Sequence, residues 1–370
     1  MDKHLHIISH DVPWPADYGG VVDIFQTLVW LKKAGIKIHL HCFTKGRKPA
    51  AELNRHCETV HYYKRKKSGI ASVNIPYIVK SRSSDELIHE LEKDNYPVLM
   101  QGMHCTWPLF RNKLPGRKVF IRSFNVEHVY YDFLATHEKN KLKKIYFKRE
   151  SRLLKPYEKN MAAKAPVLTL SENDRIYFSA PGGNASFIPA LLPWQELLSK
   201  TGMGDYCLYH GNLSVNENEK AVEWLLTELF HTNEIPIVIA GKDPSPKLAA
   251  LVAKTRQASL VSNPPDAAMQ ELIENAQINL LPSFNNTGVK LKLLNALYNG
   301  RHCVANSTAV AGSGAEALCS IGNTAAEMQE HIRRLFTEPF SQKEIQHRGA
   351  VLNGVYNNEI NAAKITALIQ

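Results

Sequence analysis

The segment 280–312, LLPSFNNTGVKLKLLNALYNGRHCVANSTAVAG, is the most informative stretch of this chain. It predicts four consecutive elements: a strand (Ile278–Leu281), a turn (Thr287–Gly288), an amphipathic helix that ends at Gly300, and a second strand (Cys303–Ala305). A strand, a glycine-containing turn and a helix leave unpaired N–H groups and a positive dipole end at the edge of a sheet. The pattern therefore indicates a site for the phosphates of a nucleotide.

Lys290 lies one turn into this predicted helix and would add a point charge for a diphosphate. The alternative is an ordinary βαβ unit whose lysine is solvated, because a strand, a turn and a helix are common in proteins that bind no nucleotide. Spacing alone does not separate the two interpretations.

Length and composition indicate a globular protein of two domains. The chain has 370 residues, of which 44% are hydrophobic, enough for two cores. The sequence contains no run of eighteen apolar residues, and its polar, proline-broken start does not resemble a signal peptide. We therefore expect a cytoplasmic protein. The six cysteines lack CxxC spacing, which predicts buried thiols rather than a zinc site or disulfides.

The net charge of +10 is divided unevenly along the chain. Residues 1–190 hold 31 Lys+Arg and 18 Asp+Glu, a net +13, whereas residues 191–370 hold 14 and 17, a net −3. The basic half favours an anionic ligand such as a phospholipid surface or a lipid-linked phosphate. A soluble basic surface without a partner is the alternative.

Strand and helix patterns alternate through both halves, which predicts parallel sheets with right-handed crossovers. We predict an α/β protein of two Rossmann-like domains facing a cleft. The N-terminal domain spans 1–194, the C-terminal domain spans 195–356, and a helix over 357–370 packs back on the first domain. A long basic helix is expected over Thr136–Ala163, kinked or divided at Pro156. This helix could lie on an anionic bilayer or pack on its own domain with its lysines in water.

Six segments in this order resemble the GT-B glycosyltransferases of family 4 (group 1), in particular the bacterial polysaccharide and lipopolysaccharide branch. The segments are PWPADYGG, RSFNVEHVYYDFLA, SENDR, GNLSVNENEKAVEWL, the strand ending in IAGK, and TGVKLKLLNALYNGRHCVAN followed by AGSG. The resemblance implies a transferase that uses a UDP- or GDP-linked sugar and a saccharide or lipid-linked acceptor.

The resemblance also implies which residues bind the donor. Gly19 and Gly20 match the family's glycine loop, where a side chain would keep the backbone away from phosphate; a plain turn is the alternative. The family's two glutamates are replaced by Thr287 and Asn295, which bring no carboxylate. The expected donor-binding set is completed by Gly211, Asn212, Lys242, Gly288 and Lys290.

In the first domain, polar residues follow predicted strand ends, where α/β active sites are built. They are Arg122, Asn125, Glu127 and His128 after one strand and His104 after another. These side chains could hold the sugar or position an acceptor hydroxyl, although a single histidine such as His104 is often a structural residue. The other histidines show no functional pattern.

The implied reaction retains the configuration of the sugar, and the leaving diphosphate helps to remove the acceptor proton. Neutralisation of the leaving group is then the dominant requirement. No DxD motif is present, so we expect no required metal and no other cofactor. Two alternatives stay open: a sugar-nucleotide epimerase of the same architecture, and a degenerate nucleotide-binding or scaffold protein. Reversible attachment to an anionic membrane is expected through the basic first domain, including Lys64–Lys67 and Lys139–Lys155.

Overall fold

The computed structural model describes residues 3–66, 74–180, 182–231, 234–285 and 287–369. The chain forms two compact units: a first unit of Met1–Pro193 with Tyr356–Gln370, and a second unit of Trp194–Val355. Lys67, a member of the basic cluster predicted from the sequence, lies outside the described residues.

The first unit is built on a parallel sheet, seven-stranded in the described residues, with the order β3-β2-β1-β4-β5-β6-β7. Its strands are β1 (Lys3–Ser9), β2 (Ile36–Thr44), β3 (Thr59–Lys64), β4 (Val98–Gln101), β5 (Val119–Ser123), β6 (Val167–Thr169) and β7 (Ala185–Phe187). The helices are α1 (Gly19–Lys33), α2 (Tyr77–Lys80), α3 (Asp85–Leu91), α4 (Trp107–Phe110), α5 (Glu127–His137), α6 (Lys141–Lys164), α7 (Glu172–Phe178) and α15 (Asn358–Ile369).

Both faces of this sheet are buried, as parallel sheets require. Successive residues of β1 serve opposite sides: Ile7 packs in the core that includes α1 and α15, and Ile8 packs in the core that includes α6. The same alternation explains why the central strands are almost continuously apolar.

One face of the sheet carries five histidines, His4, His6, His39, His41 and His61, which we call the histidine array. His6 Nδ1 lies 2.8 Å from His41 Nε2, and His4 Nδ1 lies 2.9 Å from His39 Nε2. The ring of His61 stacks on that of His41, with 5.2 Å between centroids. The array was not anticipated, although His-x-His repeats in β1 and β2 place alternate residues on one face.

The long basic segment forms two helices, and the break between them lies before Pro156. α5 ends at His137, and α6 begins after Asn140, whose side chain caps the backbone N–H groups of Leu142 and Lys143. Pro156 lies inside α6 and does not divide it. Tertiary packing outweighs the missing hydrogen bond there, because Leu154 and Met161 on either side of the proline are fully buried.

The last helix of the chain completes the first unit. The Asn358 side chain accepts a hydrogen bond from the backbone N–H of Leu192 at 2.9 Å and donates one to its carbonyl at 2.7 Å. Ile365 and Ile369 are buried in the core against α1. This is the predicted return of the C-terminal helix to the first domain.

The second unit has a parallel sheet, six-stranded in the described residues, with the order β10-β9-β8-β11-β12-β13. Its strands are β8 (Cys207–Asn212), β9 (Ile237–Lys242), β10 (Ala258–Ser262), β11 (Ile278–Leu280), β12 (His302–Ala305) and β13 (Ser320–Ile321). The helices are α8 (Asn216–Trp224), continued by a π-helical turn over Leu225–Leu229, then α9 (Pro246–Lys254), α10 (Asp266–Asn275), α11 (Leu291–Asn299), α12 (Ser307–Val310), α13 (Ala325–Phe336) and α14 (Gln342–Val355).

All six cysteines are free thiols, and five of them are buried. The α/β class and the doubly wound parallel sheets predicted from the sequence are confirmed. No helix in the described part of the chain is both long and apolar enough to span a bilayer.

Candidate active site

The second unit has its crevice between β8 and β11. The chain connections leave these neighbouring strands toward opposite edges of the sheet, and ligands of α/β proteins bind at such a point, beyond the carboxyl ends of the strands. Gly211 and Asn212 end β8, and the loop 281–290 follows β11. The Thr287–Gly288 turn is present, and Gly288 has φ +65°, a backbone conformation that favours glycine.

Lys292 is the charged group at the centre of this crevice. Its Nζ donates to the Tyr209 hydroxyl at 3.0 Å and to Asn218 Oδ1 at 2.9 Å. Burial lowers the pKa of Lys292 to about 8, with the Glu217 carboxylate opposing that shift. No carboxylate pairs with Lys292 among the described residues. A half-buried ammonium held by two neutral groups is suited to an anionic ligand.

Glu217, in the first turn of α8, holds the loop after β11. One of its oxygens accepts from Ser283 Oγ at 2.7 Å, and the other accepts from Asn285 Nδ2 at 3.2 Å. Asn285 Oδ1 then accepts from the backbone N–H and the hydroxyl of Thr287. Ser283, Asn285 and Thr287 are therefore held in place before any ligand binds.

Lys290 is not inside the helix as predicted. It occupies the N-cap of α11, and its Nζ donates to the Thr287 carbonyl at 2.6 Å. Thr287 is buried, and Asn295 Oδ1 accepts from Asn299 one turn later. The sequence prediction thus named the correct helix but missed Lys292, which lies two residues further along.

The remaining donor candidates of the second unit lie at strand ends. Asn212 Oδ1 accepts from the backbone and the hydroxyl of Ser214, and its carbonyl accepts from Asn218. A Cβ on Gly211 would lie 3.4 Å from Asn218, so a side chain would crowd that amide. Lys242 is exposed at the end of β9.

The first unit has an equivalent crevice between β1 and β4. His10 follows β1, and His104 follows Gly102, which has φ +90° after β4. The ring centroids of His10 and His104 are 5.3 Å apart. Burial, followed by the Arg82 charge, lowers the pKa of His10 to about 3 and that of His104 well below its usual value. Both rings are neutral at pH 7.

Gly19 and Gly20 form the start of α1. A Cβ on Gly20 would lie 3.3 Å from the His10 ring. The N-cap residue of α1 is Tyr18, and its side chain accepts no hydrogen bond from the N–H groups of the first turn. Gly19 and Gly20 thus bring backbone N–H groups to the same crevice as His10.

Glu127 and His128 start α5 and meet a second buried carboxylate. Glu158 accepts from the backbone N–H of Glu127 at 2.6 Å and lies 2.8 Å from His128 Nδ1. Burial, and then repulsion from Glu158, raises the pKa of Glu127 to about 8. Glu127 Oε1 lies 3.9 Å from His104 Nδ1, so the structure brings together three of the predicted residues.

Arg122 is a correction to the sequence prediction. Its side chain is fully buried and forms a bidentate ion pair with Asp23, at 2.6 and 2.8 Å, and also donates to the carbonyls of Ile188 and Pro189. Every guanidinium nitrogen is engaged inside the first unit, so Arg122 fixes the core instead of facing a substrate. Asn125 is half-buried, and its side chain hydrogen-bonds Glu127.

The residues that sequence reasoning missed are His10, Glu158, Tyr209, Glu217 and Lys292. Lys292 interrupts an otherwise apolar segment, Leu291–Leu294, and this was the available signal. Glu158 gave no signal, because it lies 30 residues from its partner His128 on a helix full of charges. No group of His, Cys, Asp or Glu in the described ranges is arranged to hold a metal ion.

Comparison with known proteins decides the class of this site. The family model for glycosyl transferases group 1 matches residues 204–338, which include β8, Lys292 and the loop after β11. Residues 204–338 of the second unit are therefore similar to the group 1 glycosyltransferases. The protein is accordingly a glycosyltransferase, as the resemblance implied.

Relatives of this glycosyltransferase extend along nearly the whole chain. A Klebsiella pneumoniae protein, described as an uncharacterized 44.6 kDa protein in the cps region, is 27% identical over 83% of this chain and 84% of its own length. Sucrose-phosphate synthase from Thermosynechococcus elongatus has a TM-score of 0.71 at 14% identity, covering 99% of this chain and 98% of that one.

A mutant of S. aureus TarM, solved with fondaparinux, alpha-GlcNAc-glycerol and UDP, has a TM-score of 0.70 at 11% identity and covers 100% of both chains. At these identities the two structures establish the fold, which is the GT-B architecture.

Proposed function

We propose that this glycosyltransferase moves a sugar from a UDP- or GDP-linked donor to a saccharide or lipid-linked acceptor in surface polysaccharide synthesis. We further propose that transfer retains the sugar configuration and requires no metal ion. The observation that carries the proposal is Lys292, a half-buried ammonium held at the crevice of the second unit. The Klebsiella relative in a cps region and the UDP bound by TarM support the acceptor and donor classes.

Lys292 and the N-terminus of α11 would together neutralise a leaving diphosphate. The helix dipole and the free N–H groups of the first turn favour negative charge at that end. Fixed donors of this kind need no reorganisation when charge develops on the leaving group. The absence of a DxD motif from the sequence is consistent with charge neutralisation by lysine.

In the first unit, His104 and Glu127 would contact the sugar or the acceptor. Glu127 is protonated at neutral pH if its pKa lies near 8, so it would donate a hydrogen bond rather than act as a base. The leaving diphosphate would then help to remove the acceptor proton, as the resemblance implies. The glycine pair Gly19–Gly20 would keep the start of α1 open to phosphate oxygens.

Peripheral contact with the inner face of an anionic membrane is part of the proposal. The basic helix α6 exposes Leu142 (78%) and Ile145 (63%), two large apolar side chains among lysines. Apolar residues beside lysines suit the interface of an anionic bilayer. A lipid-linked acceptor would be reached at such a surface.

Donor hydrolysis in the absence of an acceptor tests the proposed function. UDP- and GDP-sugars are incubated with the protein, and free sugar, nucleoside diphosphate and epimerised sugar are measured. A transferase releases sugar and diphosphate slowly, an epimerase interconverts the sugars, and a scaffold does neither.

The Lys292→Met variant links that activity to the site. We expect it to weaken nucleoside diphosphate binding about 10- to 100-fold, or ~1.5–3 kcal/mol, the range for a hydrogen bond to a charged group. Lys254→Met, at an exposed position of α9, is the matched control. Equal nucleotide affinity in Lys292→Met and the control would refute the assignment.

A further inference from the structure

Two arginines lie close to the crevice of the first unit and have no carboxylate partner among the described residues. Arg65 directly follows β3, and Arg82 follows α2. Neither forms an ion pair within the described residues, and the neighbouring residues 67–73 contain no Asp or Glu. Buried or half-buried arginines are normally paired, so this pair requires an explanation.

The hydrogen bonds of Arg82 fix its position and leave donors unused. Its Nε donates to the carbonyl of His10 at 2.9 Å and its Nη1 donates to the carbonyl of Ile78 at 2.7 Å. Nη2 makes no hydrogen bond within the described residues. Only 4% of the residue is exposed. Arg82 is therefore a rigid cation attached to the same strand end that carries His10.

Arg65 lies beside Arg82 and is also incompletely bonded. Its Nη2 donates to Ser81 Oγ at 3.2 Å, whereas its buried Nε has no partner in the described structure. Burial, and then the Arg65 charge, lowers the pKa of Arg82 to about 10, so the Arg82 guanidinium stays charged at pH 7. Two cations are held near each other without neutralisation.

The nearby groups do not supply the missing negative charge. Within the described residues, the buried Nδ1 of His104 has no hydrogen-bond partner, and the neutral His10 ring contacts the Gln101 backbone. Asp11 contacts Arg47 at 3.7 Å, and the pKa of Glu127, raised to about 8 by burial, leaves its carboxyl group mostly neutral at pH 7. The cluster consists of cations, neutral rings and a neutral acid.

We propose that Arg65 and Arg82, with the His10 and His104 rings, form an anion site that binds a phosphate group of the acceptor substrate. Guanidinium groups match the geometry of phosphate oxygens and provide several N–H donors. The site lies at the β1–β4 crevice, at partly exposed His10, so a ligand can reach it. This inference rests on the proposed transferase function and narrows the acceptor to a phosphate-bearing saccharide or lipid.

Titration of the full chain with inorganic phosphate, with binding measured by calorimetry, tests the site. We expect saturable binding that is at least 10-fold weaker in Arg65→Gln and partly retained in Arg65→Lys. Arg55→Gln, which changes an arginine of the same unit that is 75% exposed and paired with Glu52, is the control. Arg82→Lys provides a second variant that keeps a charge at the buried position.

The probes also separate the sources of the phosphate. A hexose 1-phosphate and a short isoprenyl phosphate are each titrated into the parent and Arg65→Gln. The compound whose affinity is selectively lower in Arg65→Gln than in the parent identifies the acceptor class. UDP is titrated into the same proteins. Absence of phosphate binding, unchanged phosphate affinity in Arg65→Gln, or an equal loss of UDP and phosphate affinity would overturn the inference. Failure of the transferase proposal is seen separately, in the Lys292→Met nucleotide titration.

Discussion

Glu127 is a carboxyl group whose ionisation is controlled by its surroundings. It is 3% exposed and lies beside Glu158, and these two effects raise its pKa to about 8. In the unfolded chain the group ionises near its ordinary pKa of 4.5. Between these values the native protein holds a proton that the unfolded chain has lost. Stability therefore falls as pH rises from about 4.5 to about 8.

We predict that Glu127→Gln reduces this loss of stability. Glutamine cannot ionise, so the free energy of unfolding of the variant relative to the parent should increase from pH 5 to pH 8. The increase should be at least about 1.4 kcal/mol, the free energy that corresponds to a pKa difference of 1 between the native and unfolded states. Denaturant unfolding at both pH values measures it, and the exposed Glu92→Gln is the control. An identical pH dependence in parent and variant would contradict the assigned pKa shift.

Arg122 and Lys292 show why the role of a single residue is difficult to infer from sequence. Arg122 was predicted to follow a strand end, the position of a site residue, but it lies within β5 and forms a core ion pair with Asp23, 99 residues away. Lys292 was not singled out from the sequence, although its ammonium is held by the Tyr209 hydroxyl at 3.0 Å. Pairing between distant residues is not encoded in local spacing.

At the scale of elements, the histidine array makes the first unit sensitive to acid. Burial lowers the pKa of His6 to about 4 and that of His41 well below its usual value, while Asp94, 3.0 Å from His6, opposes the shift and Arg117 adds to it. His39 also has a lowered pKa because of burial and the neighbouring His4. The unfolded chain takes up protons below pH 6.5 that the native array does not.

We predict that the free energy of unfolding of the first unit falls as pH decreases from about 6.5 to about 4. For each histidine, a difference of 1 between the native and unfolded pKa values changes the free energy of unfolding by about 1.4 kcal/mol. His6→Gln removes one such group and should reduce the slope of stability against pH, whereas His89→Gln, at an exposed position, should leave it unchanged. Chemical denaturation at pH 7 and pH 5 measures the slope, and equal slopes in the two variants would exclude the array as its source.

The helix α6 carries the second prediction at this scale. Vesicles with anionic lipid should bind the full chain at low salt, because each lysine near such a surface contributes about 1 kcal/mol. The double variant Leu142→Ser, Ile145→Ser should bind several-fold less. Ile176→Ser changes a residue of the same unit that is 60% exposed on another helix and is the control. Equal co-sedimentation of the double variant and the control would show that α6 does not bind the vesicles, and its basic surface would then serve solubility.

At the scale of the whole molecule, the chain returns to its first unit after forming the second. α15 inserts Ile365 and Ile369 into the core of the first unit, and Asn358 bonds both backbone groups of Leu192. The first unit is therefore incomplete until the last residues of the chain have been added.

We predict that Ile365→Ala destabilises the first unit by about 2–5 kcal/mol, the usual cost of removing a buried isoleucine side chain to Cβ. Ile360→Ala, five residues earlier and 53% exposed, should change stability by less than about 0.5 kcal/mol. Calorimetry of the full chain should show a lowered transition for the first unit and an unchanged one for the second. A similar effect of both variants would place α15 outside the cooperative core.

The sequence by itself determined the α/β class, the parallel pairing of strands implied by alternating elements, and the turn at Thr287–Gly288, where Gly288 has a positive φ. These features follow from local periodicity and backbone preference, which neighbouring residues encode. Tertiary structure decided which charges are buried or half-buried: Lys292 against Tyr209, Arg122 against Asp23, and Glu127 beside Glu158. Burial and pairing depend on residues far apart in the chain, and they set the pKa values and free donors from which the chemistry of the site follows.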